Sequence, residues 1–123
     1  MTPGQIHHIE YYVNNLETTK EFWSWLLERL DYKLFQEFGD GVSYEHTSGT
    51  YIVFVKVSAE FTSHKNNRQA SGLNHIAFQG TSKKELKKLT GELKEKGIKI
   101  LKKSEDYLCF EEGNEFAVEV YAK

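Results

Sequence analysis

His8 and His75 are the residues of this 123-residue chain whose placement points to chemistry. His75 lies in Gly72-Leu73-Asn74-His75-Ile76-Ala77-Phe78-Gln79-Gly80, which reads as a strand bounded by two glycines. Side chains alternate along a strand, so Asn74, Ile76 and Phe78 are expected on one face, and Leu73, His75, Ala77 and Gln79 on the other. Ile76 and Phe78 suit a core, and His75 then points away from it. Gln5-Ile6-His7-His8-Ile9-Glu10-Tyr11-Tyr12-Val13 repeats the arrangement, with His8 in the place of His75 and Ile9, Tyr11 and Val13 facing inward. Taken singly, each histidine is more often a polar residue of a pocket or a dimer interface. Their repeated placement, each on a strand followed by a helix, points to an internal repeat.

The elements that must carry these histidines follow in the same order twice. After the first strand, Asn14 and Asn15 can cap a helix over about 16–30, with Phe22, Trp23, Leu26, Leu27 and Leu30 on one stripe. Strands are expected at Tyr32 to Phe38, Val42 to Thr47 and Tyr51 to Val57, separated by Gly39-Asp40-Gly41 and Ser48-Gly49 turns. Residues 58–71 are polar and patternless and read as a connection. The strand at 72–80 then opens a second unit. Ser82 with Glu85 makes a capping box for a helix striped by Leu86, Leu89 and Leu93 that stops at Gly97. Ile98 to Lys102, Asp106 to Glu111 and Phe116 to Tyr121 supply three further strands. The pattern is βαβββ twice within one domain: module one over 1–57, a linker over 58–71 and module two over 72–123.

Sixteen basic and eighteen acidic residues give a net charge of −2, which argues against dedicated nucleic-acid binding. The nine lysines between residues 83 and 103 read as a solvated helix face. Cys109 is the single cysteine, so no internal disulfide can form and a cytoplasmic location is expected. No apolar run approaches the roughly 20 residues that span a bilayer, and no signal peptide is visible. Cys109 has no apparent His or Asn partner arrangement, which argues against a thiol nucleophile. Tyr12 and Tyr121 share the histidine-bearing face and are candidate pocket-lining positions; His7 is expected on the helix side or in solvent, and His46 and His64 at the surface. Arg68 is expected as a solvated loop residue, with a clamp on an anionic substrate as its functional alternative.

His8-Ile9, Val13-Asn14-Asn15-Leu16-Glu17 leading into Phe22-Trp23 and Leu26-Leu27, Gly72-Leu73-Asn74-His75-Ile76-Ala77-Phe78, and Phe110 through Val120 occur in an order and spacing that resemble the vicinal oxygen chelate superfamily, the glyoxalase / bleomycin-resistance / extradiol-dioxygenase family. The resemblance spans essentially the whole chain. It implies an α+β fold of two βαβββ modules, each a curved mixed sheet, around a cup. It implies a divalent metal ion (Fe, Mn, Zn or Ni) held by His8, His75 and Glu119, with Glu119 also the candidate catalytic base. Face parity agrees: Glu119 falls with Ala117 and Tyr121, opposite Phe116, Val118 and Val120. Aligning Phe116 to Val120 with Tyr51 to Val55 puts Phe54 at the fourth ligand position, which leaves two histidines and one carboxylate.

The function this resemblance implies is a metal-dependent lyase or dioxygenase acting on a small substrate with neighbouring oxygens. The alternative is a metal-free sequestering protein of the bleomycin-resistance type, and a third reading is a homologue without pocket chemistry. The missing fourth ligand argues against a lactoylglutathione lyase. A small-molecule substrate and a homodimer are expected, and no nucleic acid or membrane partner.

Overall fold

The computed structural model describes residues 1–123 and divides into two compact units, Met1–His64 and Lys65–Lys123. Each is a βαβββ module with a four-stranded mixed sheet.

In the first unit β1 (His8–Val13) is followed by α1 (Leu16–Glu28), β2 (Tyr32–Phe38), β3 (Gly41–His46) and β4 (Tyr51–Lys56). The sheet order is β1-β4-β3-β2; β1 pairs parallel with β4, and the remaining pairs are antiparallel. The parallel pair needs a crossover, and α1 with the two following strands provides it. Asn15 caps α1 by accepting a hydrogen bond from the Thr18 amide at 3.1 Å. The buried side of the helix carries Thr19, Trp23, Leu26 and Leu27, and its core partners on the sheet include Val42, Tyr44, Ile52 and Phe54. A short 3₁₀ turn, Ala59–Phe61, follows the last strand within the segment read as a featureless connection.

The second unit repeats the order with β5 (His75–Gln79), α2 (Lys83–Glu95), β6 (Ile100–Ser104), β7 (Tyr107–Glu111) and β8 (Ala117–Tyr121), in the sheet order β5-β8-β7-β6. Ser82 caps α2 through the Glu85 amide. Gly97, at φ +76°, ends it: the Gly97 amide donates to the Lys94 carbonyl and the Ile98 amide to the Leu93 carbonyl, each at 3.0 Å. That pair of bonds needs a left-handed residue, which glycine adopts without a Cβ clash. Leu86, Leu89 and Leu93 are buried with Phe78, Leu108, Phe110, Val118 and Val120.

The repeat extends to irregularities. The pairing of β2 with β3 slips at Phe35, between Leu34 and Gln36, and that of β6 with β7 slips at Leu101, between Ile100 and Lys102. A bulge of this kind bends its strand and increases the local twist. No helix is long and apolar enough to cross a membrane.

Several boundaries differ from the sequence reading. β1 and β5 begin at His8 and His75, three residues later than expected, because the chain ahead of β5 turns at Gly72, where φ is +132°. The period-two pattern therefore does not reach Asn74, and its assignment to the core face is corrected: Asn74 is exposed and its side chain bonds to His75. The position corresponding to Glu119 also changes. Glu119 lies opposite Ala77, two residues beyond His75; the residue opposite Glu10, two beyond His8, is Val53. Phe54 instead belongs to the fully buried core beside Trp23, with ring centroids 5.0 Å apart. Alignment by residue type slipped one place because Tyr51 to Val55 holds no charged residue that could be matched to Glu119, and only the pairing register reveals the face.

Candidate functional site

Parallel pairing of β5 with β8 places His75 and Glu119 on one face of the second sheet, and β7 adds Tyr107, Cys109 and Glu111 to it. His75 Nε2 lies 3.4 Å from Glu119 Oε1. Both Glu119 oxygens also accept from phenols: Tyr121 donates to Oε1 and Tyr107 to Oε2, each at 3.1 Å. The two tyrosine rings stand 5.0 Å apart, so the carboxylate, itself only 9% exposed, sits under an aromatic pair.

Burial pushes the Tyr107 phenol well above its ordinary pKa, and its hydrogen bond to Glu119 adds to the rise. Tyr121 is raised by the same causes in the same order. Both phenols remain donors at neutral pH. Cys109 is pushed up chiefly by burial and further by the Glu119 charge, while the Tyr107 hydrogen bond works the other way. Its thiol is buried and protonated, without thiolate character.

Behind His75 stands a second set of bonds. His75 Nδ1 is 2.9 Å from Asn74 Oδ1, and Asn74 Nδ2 donates to the Arg68 carbonyl at 2.8 Å. The Arg68 guanidinium is not the solvated loop group expected from sequence. One of its amino nitrogens donates to Glu111 Oε2 and to the Glu115 carbonyl, both at 2.9 Å. Glu115 presents that carbonyl from a left-handed conformation, φ +61°, in the turn before β8. A cavity of about 960 Å³ opens over this face, bordered by Arg68, Asn74, His75, Tyr107, Glu111 and Glu119 among others.

His8 belongs to the first unit. Its ring stacks on Tyr51 at 4.7 Å with an interplanar angle of 5°, and its Nδ1 is 2.9 Å from His7 Nδ1. His7, given no role from sequence, thus shares a proton with the ligand candidate. Within neither unit do three His, Cys, Asp or Glu side chains gather into a metal-holding group. The donor set of the second unit nevertheless fits a divalent cation. A neutral imidazole nitrogen and a carboxylate 3.4 Å apart are both electron-pair donors, and a cation between them removes their repulsion.

The sequence profile of the Glyoxalase/Bleomycin resistance protein/Dioxygenase superfamily matches residues 5–111. The chain belongs to this superfamily. Among its relatives, the uncharacterised protein YqjT of Bacillus subtilis is 38% identical over 96 residues, covering 78% of this chain and 74% of YqjT. A candidate glyoxalase from Bacillus halodurans, known from a crystal structure, is 35% identical with a TM-score of 0.91 and coverage of 98% and 97% of the two chains. The fosfomycin resistance protein FosX of Listeria monocytogenes, solved with Mn(II) and sulfate, is 19% identical with a TM-score of 0.71 over 99% of this chain and 91% of its own. At that identity the likeness establishes the superfamily's paired βαβββ fold and nothing finer.

Tyr107, Asn74 and Glu111 were missed as site residues, and Arg68 was weighed as a clamp but expected in solvent. Tyr107 could have been found, since it precedes Cys109 by two on a strand next to β8. Asn74 and Arg68 carried no periodic signal, because both lie in irregular chain.

Proposed function

We propose that this protein is a divalent-metal-dependent enzyme acting on a small molecule with neighbouring oxygen donors, with His8, His75 and Glu119 as the metal-binding residues. The observation that carries this is the pairing of His75 Nε2 with Glu119 Oε1 at 3.4 Å on the face of a polar cavity. When bound, the ion supplies Lewis-acid polarisation of the substrate oxygens and open coordination positions for them.

The chain's own residues supply the rest. Tyr107 and Tyr121 hold both oxygens of Glu119 and set its orientation. Arg68, tied to Glu111, borders the cavity and orients an incoming polar group. Glu119 is also the residue of this set able to accept a proton from a substrate carbon, at the cost of its own ligation. The corresponding first-unit position is Val53, which neither ligates nor accepts a proton. A positioned base typically contributes about 10²–10⁴-fold to rate, so we expect weak or no lactoylglutathione lyase activity. A methylglyoxal–glutathione assay with Ni(II), Zn(II) and Fe(II) supplied in turn checks this; turnover comparable to a dedicated lyase refutes it.

The proposal includes a homodimer. Leu34, Phe35 and Phe38 of edge strand β2, and Tyr12 of edge strand β1, are exposed apolar or aromatic side chains that pairing with a second copy covers. Sedimentation is expected to give a dimer at micromolar concentration. Metal analysis of freshly purified protein tests the central reading. About one divalent ion per chain is expected, falling at least about 10-fold in His8→Ala, His75→Ala and Glu119→Gln. Metal content unchanged by all three variants overturns the assignment. A ligand-induced thermal shift that persists after chelation supports instead the sequestering function of the bleomycin-resistance type.

A further inference from the structure

The bonds behind His75 determine which of its nitrogens carries the proton. The amide of Asn74 has one donor end and one acceptor end. Its nitrogen lies 2.8 Å from the Arg68 carbonyl oxygen, which can only accept. Turned the other way, the amide oxygen would oppose that carbonyl, so the orientation is forced and Oδ1 must face the imidazole. Nδ1 of His75, 2.9 Å from Oδ1, must then be the protonated nitrogen. A neutral ring has one N–H, so Nε2 keeps its lone pair and directs it at Glu119.

A competing tautomer places the proton on Nε2 and donates it to Glu119. Distances decide against it. The Nε2–Oε1 separation is 3.4 Å, beyond the usual range of a direct N–H···O bond, against 2.9 Å at Nδ1. That tautomer would also set the Nδ1 lone pair against Oδ1 at hydrogen-bond distance, where the two repel.

We infer that Asn74 is a positioning residue that locks His75 in the Nδ1–H tautomer and so presents Nε2 as a ligand. Arg68 anchors the lock: its guanidinium, bound to Glu111 and to the Glu115 carbonyl, holds in place the segment whose own carbonyl orients Asn74. The metal-binding consequence rests on the function proposed above, whereas the tautomer does not.

The test is long-range ¹H–¹⁵N NMR of the histidine rings in metal-free protein at about pH 8.5, roughly two units above the ordinary histidine pKa. Wild type is expected to show His75 with a protonated Nδ1 and a pyridine-like Nε2. Asn74→Ala is expected to shift the ring towards the Nε2–H form that imidazole favours in water. Asn74→Asp keeps an acceptor against Nδ1 and is expected to retain the wild-type tautomer. It also controls for any general disturbance at the site. Zn(II) or Mn(II) affinity, read by competition with a chelating dye, should fall about 10–100-fold in Asn74→Ala and less in Asn74→Asp. An Nε2–H ring in the wild type, or a tautomer unchanged in Asn74→Ala, overturns the inference. The expected tautomers with no metal bound by any variant leave the inference standing and overturn the proposed metal site.

Discussion

The two modules share a topology and even a bulge, yet they put opposite chemistry on the same face. In the second, Glu119 is held by Tyr107, Tyr121 and His75. In the first, the corresponding positions are Val53, Gly41, Val55 and His8. Cys109 corresponds to Ser43, whose hydroxyl is buried without a partner, and Ala117 to Tyr51, which stacks on His8. The histidine recurs, but the carboxylate and its two phenols do not. A repeated backbone therefore duplicates positions and not sites. A carboxylate on a buried strand needs its own set of donors, and one module alone provides them.

The cores differ too. Module one packs Trp23 against Phe54, with Tyr11 and Tyr44 nearby, while α2 of module two contributes three leucines. The largest expected effect exploits this. Trp23→Ala should destabilise by about 4 kcal/mol and Leu93→Ala by about 3 kcal/mol. Hydrogen exchange should show the first loss of protection in β3 and β4 for Trp23→Ala, and in β7 and β8 for Leu93→Ala. Simultaneous loss throughout the chain in both variants would break the comparison, because the modules would then unfold as one cooperative unit.

Val53→Glu moves the carboxylate into the module that lacks its donors. Val53 is 7% exposed and its cross-strand neighbour is Ser43. The expected cost at neutral pH exceeds about 2 kcal/mol. Burial raises the folded-state pKa of such a carboxyl above its unfolded value of about 4.3, so the penalty is absent below that pH and grows as pH rises through it. Urea midpoints at pH 4 and pH 7, each referred to wild type, check the sign. An equal cost at both values would mean that the face is solvated and the contrast with Glu119 is weaker than drawn.

Smaller effects concern helix ends. Asn15→Ala and Ser82→Ala remove equivalent caps and should each cost about 1 kcal/mol by chemical denaturation. The C-terminal ends are not equivalent. Gly97 takes the left-handed conformation after α2, while Asp31, at φ +65°, takes it after α1. Gly97→Ala should destabilise by about 1 kcal/mol and Asp31→Gly should stabilise by about 0.5 kcal/mol. Thermal melts of the two variants check these opposite signs.

Much of this was legible without a structure. Two βαβββ units follow from period-two and helical patterning, from Asn15 and Ser82 as caps, and from Gly97 as a stop, all of which are local signals. His75 and Glu119 could be assigned to one face by parity alone, because alternation is a property of the strand itself. Tertiary structure decided what parity cannot reach. Register between strands made Val53, not Phe54, the counterpart of Glu119, since Tyr51 to Val55 is uniformly apolar or aromatic and carries no mark that fixes its alignment on β8. Pairing across β7 and β8 brought both phenols to one carboxylate. Folding of irregular chain brought the Arg68 carbonyl to Asn74, six residues away and outside any period. The sequence by itself determined which elements form and which residues share a face; hydrogen bonds between elements decided which of those residues hold one another, because such bonds depend on distances that no single element contains.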